Sequence, residues 1–204
     1  MNASVAIEGE SNEARERQWV AAARCGDSEA FRQIVELYQN RLYTFLLRMV
    51  RHHEEAEDLA QEAFVRAWRH LDVYDAKWPF RTWLFSIARN LALNTLRRPR
   101  ATIISIESGG DEEKPAVVLA ATSASPADEA GTREQRRHLM RALEDFPPRA
   151  AMVFTLFYQE GMSVVQIAQV AGMSPGAVKV MLHRVRETLK NKMRENEKNG
   201  RQKS

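Results

Sequence analysis

Apolar residues recur at every third or fourth position through most of the first hundred residues, with polar residues between them. This spacing is typical of helices that bury one face. The predicted helices cover residues 13–24, about 28–49, about 54–71 and about 83–98, the last ending before Pro99. A loop over 72–79 separates the third helix from the fourth. The pattern therefore predicts one small helical domain, preceded by about a dozen disordered residues.

The helical pattern stops after Pro99. Residues 100–130 show no sustained period and collect glycine, proline and serine, and from Ala101 to Ala130 six acidic residues stand against the single base Lys114. This composition predicts a flexible acidic linker. A stretch of this length without structure is unusual inside one compact domain, so a domain boundary is predicted here.

Helical spacing returns over residues 131–194. Two segments, Thr132–Gln135 and Ser163–Gln166, have the spacing of a capping box, which opens a helix. A dense apolar helix is predicted over 152–158, and Ser174 caps a final long helix. No clear alternation typical of a β-strand occurs in the sequence. The predicted fold class is all-α, with two small helical domains joined by a flexible linker.

The segment from Ser163 to Arg184 has the spacing of a helix-turn-helix, because Gly172 permits a left-handed turn and Pro175 starts a second helix. One face of that second helix is apolar and is expected to pack on the domain. The opposite face carries Gly176, Lys179, Val180, His183 and Arg184. These residues suit close approach to a major groove and contacts with phosphates or base edges. A purely structural role for this geometry is the alternative.

A polar stripe is predicted on the exposed side of the helix over 54–71. Its members are Asp58, Gln61, Glu62 and Arg66. Neighbouring carboxylates can indicate metal binding or acid–base catalysis, but no histidine lies within one turn on that face and no nucleophile is near. The stripe is therefore either a solvated surface or a protein-docking surface.

Charge and composition favour a nucleic-acid partner. The 30 Lys and Arg residues exceed the 27 Asp and Glu residues only slightly, but from Ala177 to the end they outnumber them nine to three. A basic end favours phosphate contacts, although a solvated charged face is the alternative. Cys25 is the only cysteine, which excludes an intrachain disulfide and a cysteine-based zinc site. With no signal peptide and no long apolar run, the sequence predicts a soluble cytoplasmic protein without a cofactor.

Three ordered motifs resemble the extracytoplasmic-function family of bacterial RNA polymerase sigma factors. Glu57–Arg66 is similar to the segment by which that family binds core polymerase, and Trp78–Asn90 is similar to its promoter-melting segment. The helix-turn-helix, preceded by Leu143–Pro148, is similar to the family's second domain. The resemblance covers about residues 26–98 and 134–192.

The resemblance implies a role for each motif. The stripe of Asp58, Gln61, Glu62 and Arg66 is implied to dock on core RNA polymerase. The residues implied to capture the single-stranded minus-10 element are Trp78, Phe80, Arg81, Trp83, Arg89 and Asn90. Aromatic platforms beside positive charge suit unstacked bases, although a core role is the alternative for Trp83. The exposed face of the helix-turn-helix is implied to read the double-stranded minus-35 element.

These inferences give a map of the chain. It comprises an N-terminal extension (1–12), a region-2-like domain (13–99), the linker (100–130), a region-4-like domain (131–194) and a basic tail (195–204). The expected protein is a transcription initiation factor, not an enzyme, with no small-molecule substrate. The resemblance also implies an anti-sigma factor as partner, possibly anchored in the membrane. The rival hypotheses are a stand-alone helix-turn-helix regulator and a helical partner-binding module.

Overall fold

The computed structural model describes residues 3–97 and 146–201. These two segments contain helices and no strand, which confirms the predicted all-α class. The α-helices are α1 (Ala3–Arg24), α2 (Ser28–Val50), α3 (His53–Arg69), α4 (Phe80–Arg97), α5 (Pro148–Tyr158), α6 (Val164–Ala171) and α7 (Pro175–Arg201). None of the helices in these segments is long and apolar enough to cross a bilayer. The predicted linker and the helix predicted to open at Thr132–Gln135 lie outside the described residues.

Helix α2 is the centre of the first domain, and α1, α3 and α4 pack around it. Its inward side chains are at most 1% exposed: Ile34, Tyr38, Leu42, Phe45, Leu46 and Met49. Asp27 caps this helix, since its carboxylate accepts hydrogen bonds from the N–H groups of Glu29 (2.9 Å) and Ala30 (3.0 Å). Burial of each large apolar side chain contributes about 1.5–3 kcal/mol, so this face holds the domain together.

Helix α1 begins earlier than its apolar pattern indicates. It starts at Ala3, whereas the prediction was a disordered extension over 1–12 and a helix from about Glu13. Once a helix is nucleated, each further residue adds one backbone hydrogen bond, and no proline interrupts residues 3–12. Apolar periodicity indicates a helix that is buried against a core. It therefore cannot predict a helical extension that lacks regularly spaced apolar residues.

The segment between α3 and α4 is more ordered than a plain loop. It contains a 3₁₀ turn at Leu71–Val73, and the Tyr74 hydroxyl donates to the Trp78 carbonyl at 2.6 Å. Helix α4 then starts at Phe80, three residues before the predicted start. The Phe80 ring packs on the rings of Tyr74 and Trp83, with centroids at 5.5 and 5.7 Å. These aromatic contacts fix the first turn of α4 against the domain.

The C-terminal helices follow the capping signals in the sequence. The capping box is confirmed, since the N–H of Ser163 donates to the Gln166 side chain at 2.8 Å and the N–H of Gln166 donates back to Ser163 Oγ. Gly172 ends α6 in the left-handed region with φ 61°. Helix α7 continues to Arg201, past its predicted end near residue 193 and into the predicted basic tail.

The two halves of the described structure pack against each other. Helix α2 lies against α5, and α4 lies against α6. Buried residues from both halves, among them Phe45, Leu84, Met152 and Ile167, belong to one continuous apolar cluster. The helix-turn-helix therefore rests on the same helices that form the core of the first domain.

Candidate functional surfaces

The polar stripe on α3 forms one exposed surface, as its spacing predicts. Asp58, Gln61, Glu62 and Arg66 are all exposed, and the residues between them, Leu59, Ala60 and Ala63, are buried. Arg66 Nε donates to Glu62 Oε1 at 3.0 Å. Within the described residues, no group of three His, Cys, Asp or Glu side chains is placed to hold a metal ion. The surface offers oriented acceptors and one guanidinium, which suits docking of a protein.

The helix-turn-helix presents a second exposed surface. Val178, Leu182, Val185 and Leu189 of α7 are buried, as predicted. The outward face carries the predicted set Gly176, Lys179, Val180, His183 and Arg184, all exposed. Val180 is 53% exposed. Cations, a small residue and an exposed valine on one helix face fit a major groove.

The loop before α4 and the first turn of that helix form a third candidate surface. Trp78, Arg81 and Trp83 are partly exposed and lie beside the 3₁₀ turn. Phe80 is different, because its side chain is 2% exposed and packs among aromatic rings. A ring buried in this way cannot offer a face to a base, so Phe80 is removed from the predicted minus-10 contacts. Its role in the structure is to fix the start of α4.

The structure separates the roles of the neighbouring residues Arg89 and Asn90 of α4. Asn90 is exposed. Arg89 faces the second half of the molecule, where its Nη2 donates to the Ala171 carbonyl at 2.8 Å at the end of α6. Burial lowers the pKa of the Arg89 guanidinium, and nearby Arg149 and Arg97 add to the effect. The predicted minus-10 surface and the turn of the helix-turn-helix are therefore in direct contact.

Two arginines on α2, which were not predicted as functional residues, fix this contact between the halves. Arg41 Nε donates to Glu160 Oε2 at 2.9 Å, and the Glu160 side chain is only 3% exposed. Arg48 donates to Thr155 Oγ1 and Gln159 Oε1, both at 2.7 Å. Burial lowers the pKa of Arg48 to about 10. The seven-residue spacing of Arg41 and Arg48 places them on one face, but their acceptors lie more than a hundred residues away in the chain.

Glu16 of α1 is a second residue that the sequence gave no reason to select. The Tyr38 hydroxyl donates to Glu16 Oε2 at 2.6 Å, and Glu16 is partly buried. Burial raises the pKa of Glu16, against the lowering effects of Tyr38, Arg81 and Arg41. The carboxylate lines a cavity of about 440 Å³ between α1 and the loop before α4. Its position depends on the packing of α1, which no local motif predicts.

Comparison with known proteins identifies two family regions in the chain. The family model Sigma-70 region 2 matches residues 34–102, and the model Sigma-70, region 4 matches residues 136–189. The ECF RNA polymerase sigma factor SigW of Bacillus subtilis (strain 168) is 31% identical over 172 residues, which cover 83% of this chain and 92% of SigW. The ECF RNA polymerase sigma-E factor of Escherichia coli (strain K12) is 31% identical over 173 residues, which cover 82% of this chain and 88% of that protein.

One solved structure shows a similar fold. It is the sigma factor RpoE in complex with the anti-sigma factor NepR from Bartonella quintana, and its TM-score is 0.60 at 23% identity. The similarity covers 80% of this chain and 96% of that chain. Both described halves of the molecule thus have counterparts among known proteins.

Proposed function

Because the chain belongs to the extracytoplasmic-function family of RNA polymerase sigma factors, we propose that it directs core polymerase to specific promoters through the three surfaces described above. The observation that carries this proposal is the presence of both a region 2 match and a region 4 match in one chain. A stand-alone helix-turn-helix regulator would leave the first domain without a role. Promoter recognition combined with polymerase binding accounts for both domains.

The proposed docking surface for core polymerase is the α3 stripe of Asp58, Gln61, Glu62 and Arg66. Exposed carboxylate and amide groups on a rigid helix can meet a complementary surface without rearrangement, which limits the entropy lost on binding. The Sigma-70 region 2 match over residues 34–102 supports this assignment, since it includes the whole of α3.

Replacement of Asp58 and Gln61 together by alanine is expected to weaken binding to purified core polymerase by about 10-fold or more, because both side chains would lose their partners at the interface. Binding is measured by fluorescence anisotropy of labelled protein. The control is Glu54→Ala, which removes an exposed carboxylate from the first turn of the same helix. Equal affinities of the double variant and the wild type would contradict the assignment.

The proposed reader of the minus-35 element is α7. Gly176 lets the start of the helix approach the groove, Lys179 and Arg184 can reach phosphates or guanine, and His183 can donate to either. Val180 suits contact with a thymine methyl group. The buried apolar face of α7 keeps these side chains on a fixed scaffold.

The proposed minus-10 surface consists of Trp78, Arg81, Trp83, Arg89 and Asn90. Unstacked bases bind by stacking on aromatic rings, and nearby cations hold the backbone. Trp78 and Trp83 supply partly exposed rings, Arg81 and Arg89 supply charge, and Asn90 offers both a donor and an acceptor. Assistance in DNA melting follows if these groups hold bases that have left the duplex.

Simultaneous recognition of both elements requires the two halves to separate. The elements lie about 25 base pairs apart, which corresponds to about 85 Å along B-form DNA. In the described structure, Arg89 of the proposed minus-10 surface is 2.8 Å from the Ala171 carbonyl beside the helix-turn-helix. Residues 98–145 connect the halves, and at about 3.3 Å per residue their maximum span exceeds that separation. We infer that the packed arrangement opens before both elements are bound.

Other parts of the proposal concern setting and control. We propose a cytoplasmic protein without enzymatic activity or cofactor, as expected for a factor that acts through polymerase and DNA. We also propose control by an anti-sigma factor, whose inhibitory binding would keep the two domains from reaching the promoter. A membrane-anchored partner of this kind fits a factor that responds to signals from outside the cytoplasm.

The test of the proposed function is run-off transcription with purified core polymerase on a library of promoter fragments. The expected result is that transcripts start from a subset of fragments that share minus-35 and minus-10 sequences, and only when the protein is present. Absence of core binding together with absence of transcripts would overturn the proposal. Duplex DNA binding without either activity would support the stand-alone regulator instead.

A further inference from the structure

Four arginines of the first domain donate hydrogen bonds to the C-terminal half of the molecule. These residues form the arginine row: Arg41 and Arg48 of α2, Arg51 at the end of α2, and Arg89 of α4. Helix α4 packs beside α2, so both helices contribute to one side of the domain. The ten residues from Arg41 to Arg51 correspond to about 15 Å along a helix. The row is therefore an extended cationic surface.

The middle of the row meets side-chain oxygens of the C-terminal half. Arg41 Nε donates to Glu160 Oε2 at 2.9 Å. Arg48 donates to Thr155 Oγ1 and Gln159 Oε1, both at 2.7 Å. Burial lowers the pKa of Arg48 to about 10, and the charge of Glu160 opposes this effect. The packed arrangement thus removes a guanidinium from water in order to make these contacts.

The ends of the row meet neutral oxygens. Arg51 Nη2 donates to the Phe146 carbonyl, and Arg89 Nη2 donates to the Ala171 carbonyl at 2.8 Å. A main-chain carbonyl carries no net charge, whereas a phosphate oxygen would add an opposite charge to each of these contacts. The C-terminal half therefore supplies the row with acceptors of the right kind but with less charge than a phosphate backbone.

The row is suited to a chain of phosphates once the halves have separated. A planar guanidinium binds phosphate through two parallel donors. Successive phosphates of one strand in duplex DNA are about 3.4 Å apart along the axis, so 15 Å corresponds to about four of them. Arg41 also lies over the Tyr38 ring at 4.8 Å from its centroid, which holds this guanidinium on the first domain. Asn90 of the proposed minus-10 surface directly follows Arg89, so DNA held there passes beside the row.

We propose that the arginine row is a binding surface for the phosphate backbone of DNA, which the C-terminal half covers in the packed arrangement with oxygen acceptors in place of phosphates. The inference rests on the proposed function, since the row becomes accessible when the halves separate for promoter binding. It adds α2 to the DNA-binding surface. The contribution of the row to affinity does not depend on base sequence.

The test uses holoenzyme assembled from the full chain and purified core polymerase, in which the halves are separated. The probe is a promoter fragment from the transcription library, and its affinity is measured at several salt concentrations. Arg41→Ala combined with Arg48→Ala is expected to make the slope of log affinity against log salt concentration shallower by about two units, because two phosphate contacts are lost. Between about 50 and 200 mM salt, the double variant should lose about tenfold less affinity than the wild type.

Three controls separate phosphate binding from other effects. Arg32→Ala removes an exposed cation of α2 outside the row and should leave the slope unchanged. Glu160→Gln removes the other partner of the Arg41 ion pair, and it should also leave the slope unchanged because the pair is already broken in holoenzyme. Lysine in place of both Arg41 and Arg48 keeps the two charges and should retain most of the slope.

The outcomes distinguish this inference from the proposed function. An unchanged slope for the double alanine variant, or an equal decrease for Arg32→Ala or Glu160→Gln, would overturn the role of the row and leave the sigma-factor assignment intact. Failure of the wild type to bind core polymerase would overturn both. Thermal unfolding of each variant checks the fold, and the lysine variant tests the charge requirement even if the alanine variant is unstable.

Discussion

The charged residues on the exposed face of α7 differ in what they can do for DNA binding. Lys179 is a flexible point charge, whereas the planar guanidinium of Arg184 can make two parallel hydrogen bonds to guanine. Both side chains are exposed in the packed arrangement. Base reading and phosphate anchoring leave different thermodynamic signatures, so the two roles can be assigned by experiment.

Replacement of Lys179 or Arg184 by alanine is expected to weaken promoter binding by about 1–3 kcal/mol where a base is read. Where only a phosphate is contacted, the slope of log affinity against log salt concentration should become shallower by about one unit. Holoenzyme affinity for a minus-35 duplex is measured at several salt concentrations. Arg32→Ala, which removes the same charge from an exposed site on α2, is the control. Unchanged affinity and slope in both variants would contradict their role in DNA binding.

The partly buried position of Glu16 affects the stability of the fold. Burial raises its pKa above the ordinary value of 4.5, while Tyr38, Arg81 and Arg41 lower it and Glu13 adds to the rise. The folded state therefore holds this proton more tightly than the unfolded state. The resulting stabilisation is complete below about pH 4.5 and is lost as the pH rises through the folded pKa.

Glu16→Gln is expected to remove this pH dependence. The free energy of unfolding of the wild type, relative to that of the variant, should fall as the pH rises from 4 towards neutrality. Urea unfolding at a series of pH values measures the difference, with Glu36→Gln as the control. Parallel curves for wild type and Glu16→Gln would show that Glu16 titrates alike in both states.

At the scale of the helices, the turn between α6 and α7 depends on one glycine. Gly172 has φ 61°, and a Cβ atom added there would lie 3.2 Å from Arg89 Nη2. An alanine would therefore meet both backbone strain and a close contact. This one position connects the geometry of the helix-turn-helix with its contact to α4.

Gly172→Ala is expected to destabilise the protein by about 1 kcal/mol or more, as measured by thermal or urea unfolding. Gly176→Ala is the matched control, because a Cβ atom there would approach nothing closer than Ser174 Oγ at 4.0 Å. The control should leave stability nearly unchanged, although its methyl group would lie on the proposed DNA-binding face. Equal stabilities of the two variants would mean that the turn accommodates a side chain.

Local signals in the sequence predicted the elements that depend on local chemistry. The Ser163–Gln166 capping box and the turn at Gly172 are both where the spacing places them, because each involves residues at most three or four apart. The exposed and buried faces of α3 and α7 likewise follow from helical period. These elements carry the proposed polymerase and minus-35 surfaces, so the sequence alone is enough to propose both.

Features that depend on distant contacts were not predicted. In the sequence, Phe80 is one aromatic residue within a motif. Only the packing of Tyr38 and Tyr74 around its ring shows that it is buried. Glu160 follows a helix with no sign that Arg41 will reach it across the molecule. Apolar periodicity records which face of a helix is buried but not which helix covers it.

At the scale of the whole molecule, an ion pair joins the two halves. The Glu160 side chain is 3% exposed and the Arg41 side chain 34% exposed, so this guanidinium is the charged partner of a buried carboxylate. Loss of one partner from a buried pair leaves the other uncompensated, and that cost exceeds the value of the pair itself. The interface is therefore sensitive to a single substitution.

Glu160→Ala is expected to weaken the contact between the halves by about 1–3 kcal/mol, since Arg41 would lose its acceptor. Small-angle scattering of the free protein should show a larger radius of gyration. Glu62→Ala, which breaks the exposed pair with Arg66, should change stability by less than about 1 kcal/mol and leave the radius unchanged. An unchanged radius for Glu160→Ala would mean that the apolar contacts alone keep the halves together.

If Arg89 contacts promoter DNA as proposed, its hydrogen bond to the Ala171 carbonyl makes DNA and the molecule's own C-terminal half competitors for one guanidinium. Only the separated fraction of molecules is then competent, and the apparent dissociation constant is the intrinsic constant divided by that fraction. Each additional 1.4 kcal/mol in the interface, by this arithmetic, raises the apparent constant about tenfold. On this proposal, the contact between α4 and α6 would set the concentration of the factor at which promoters become occupied.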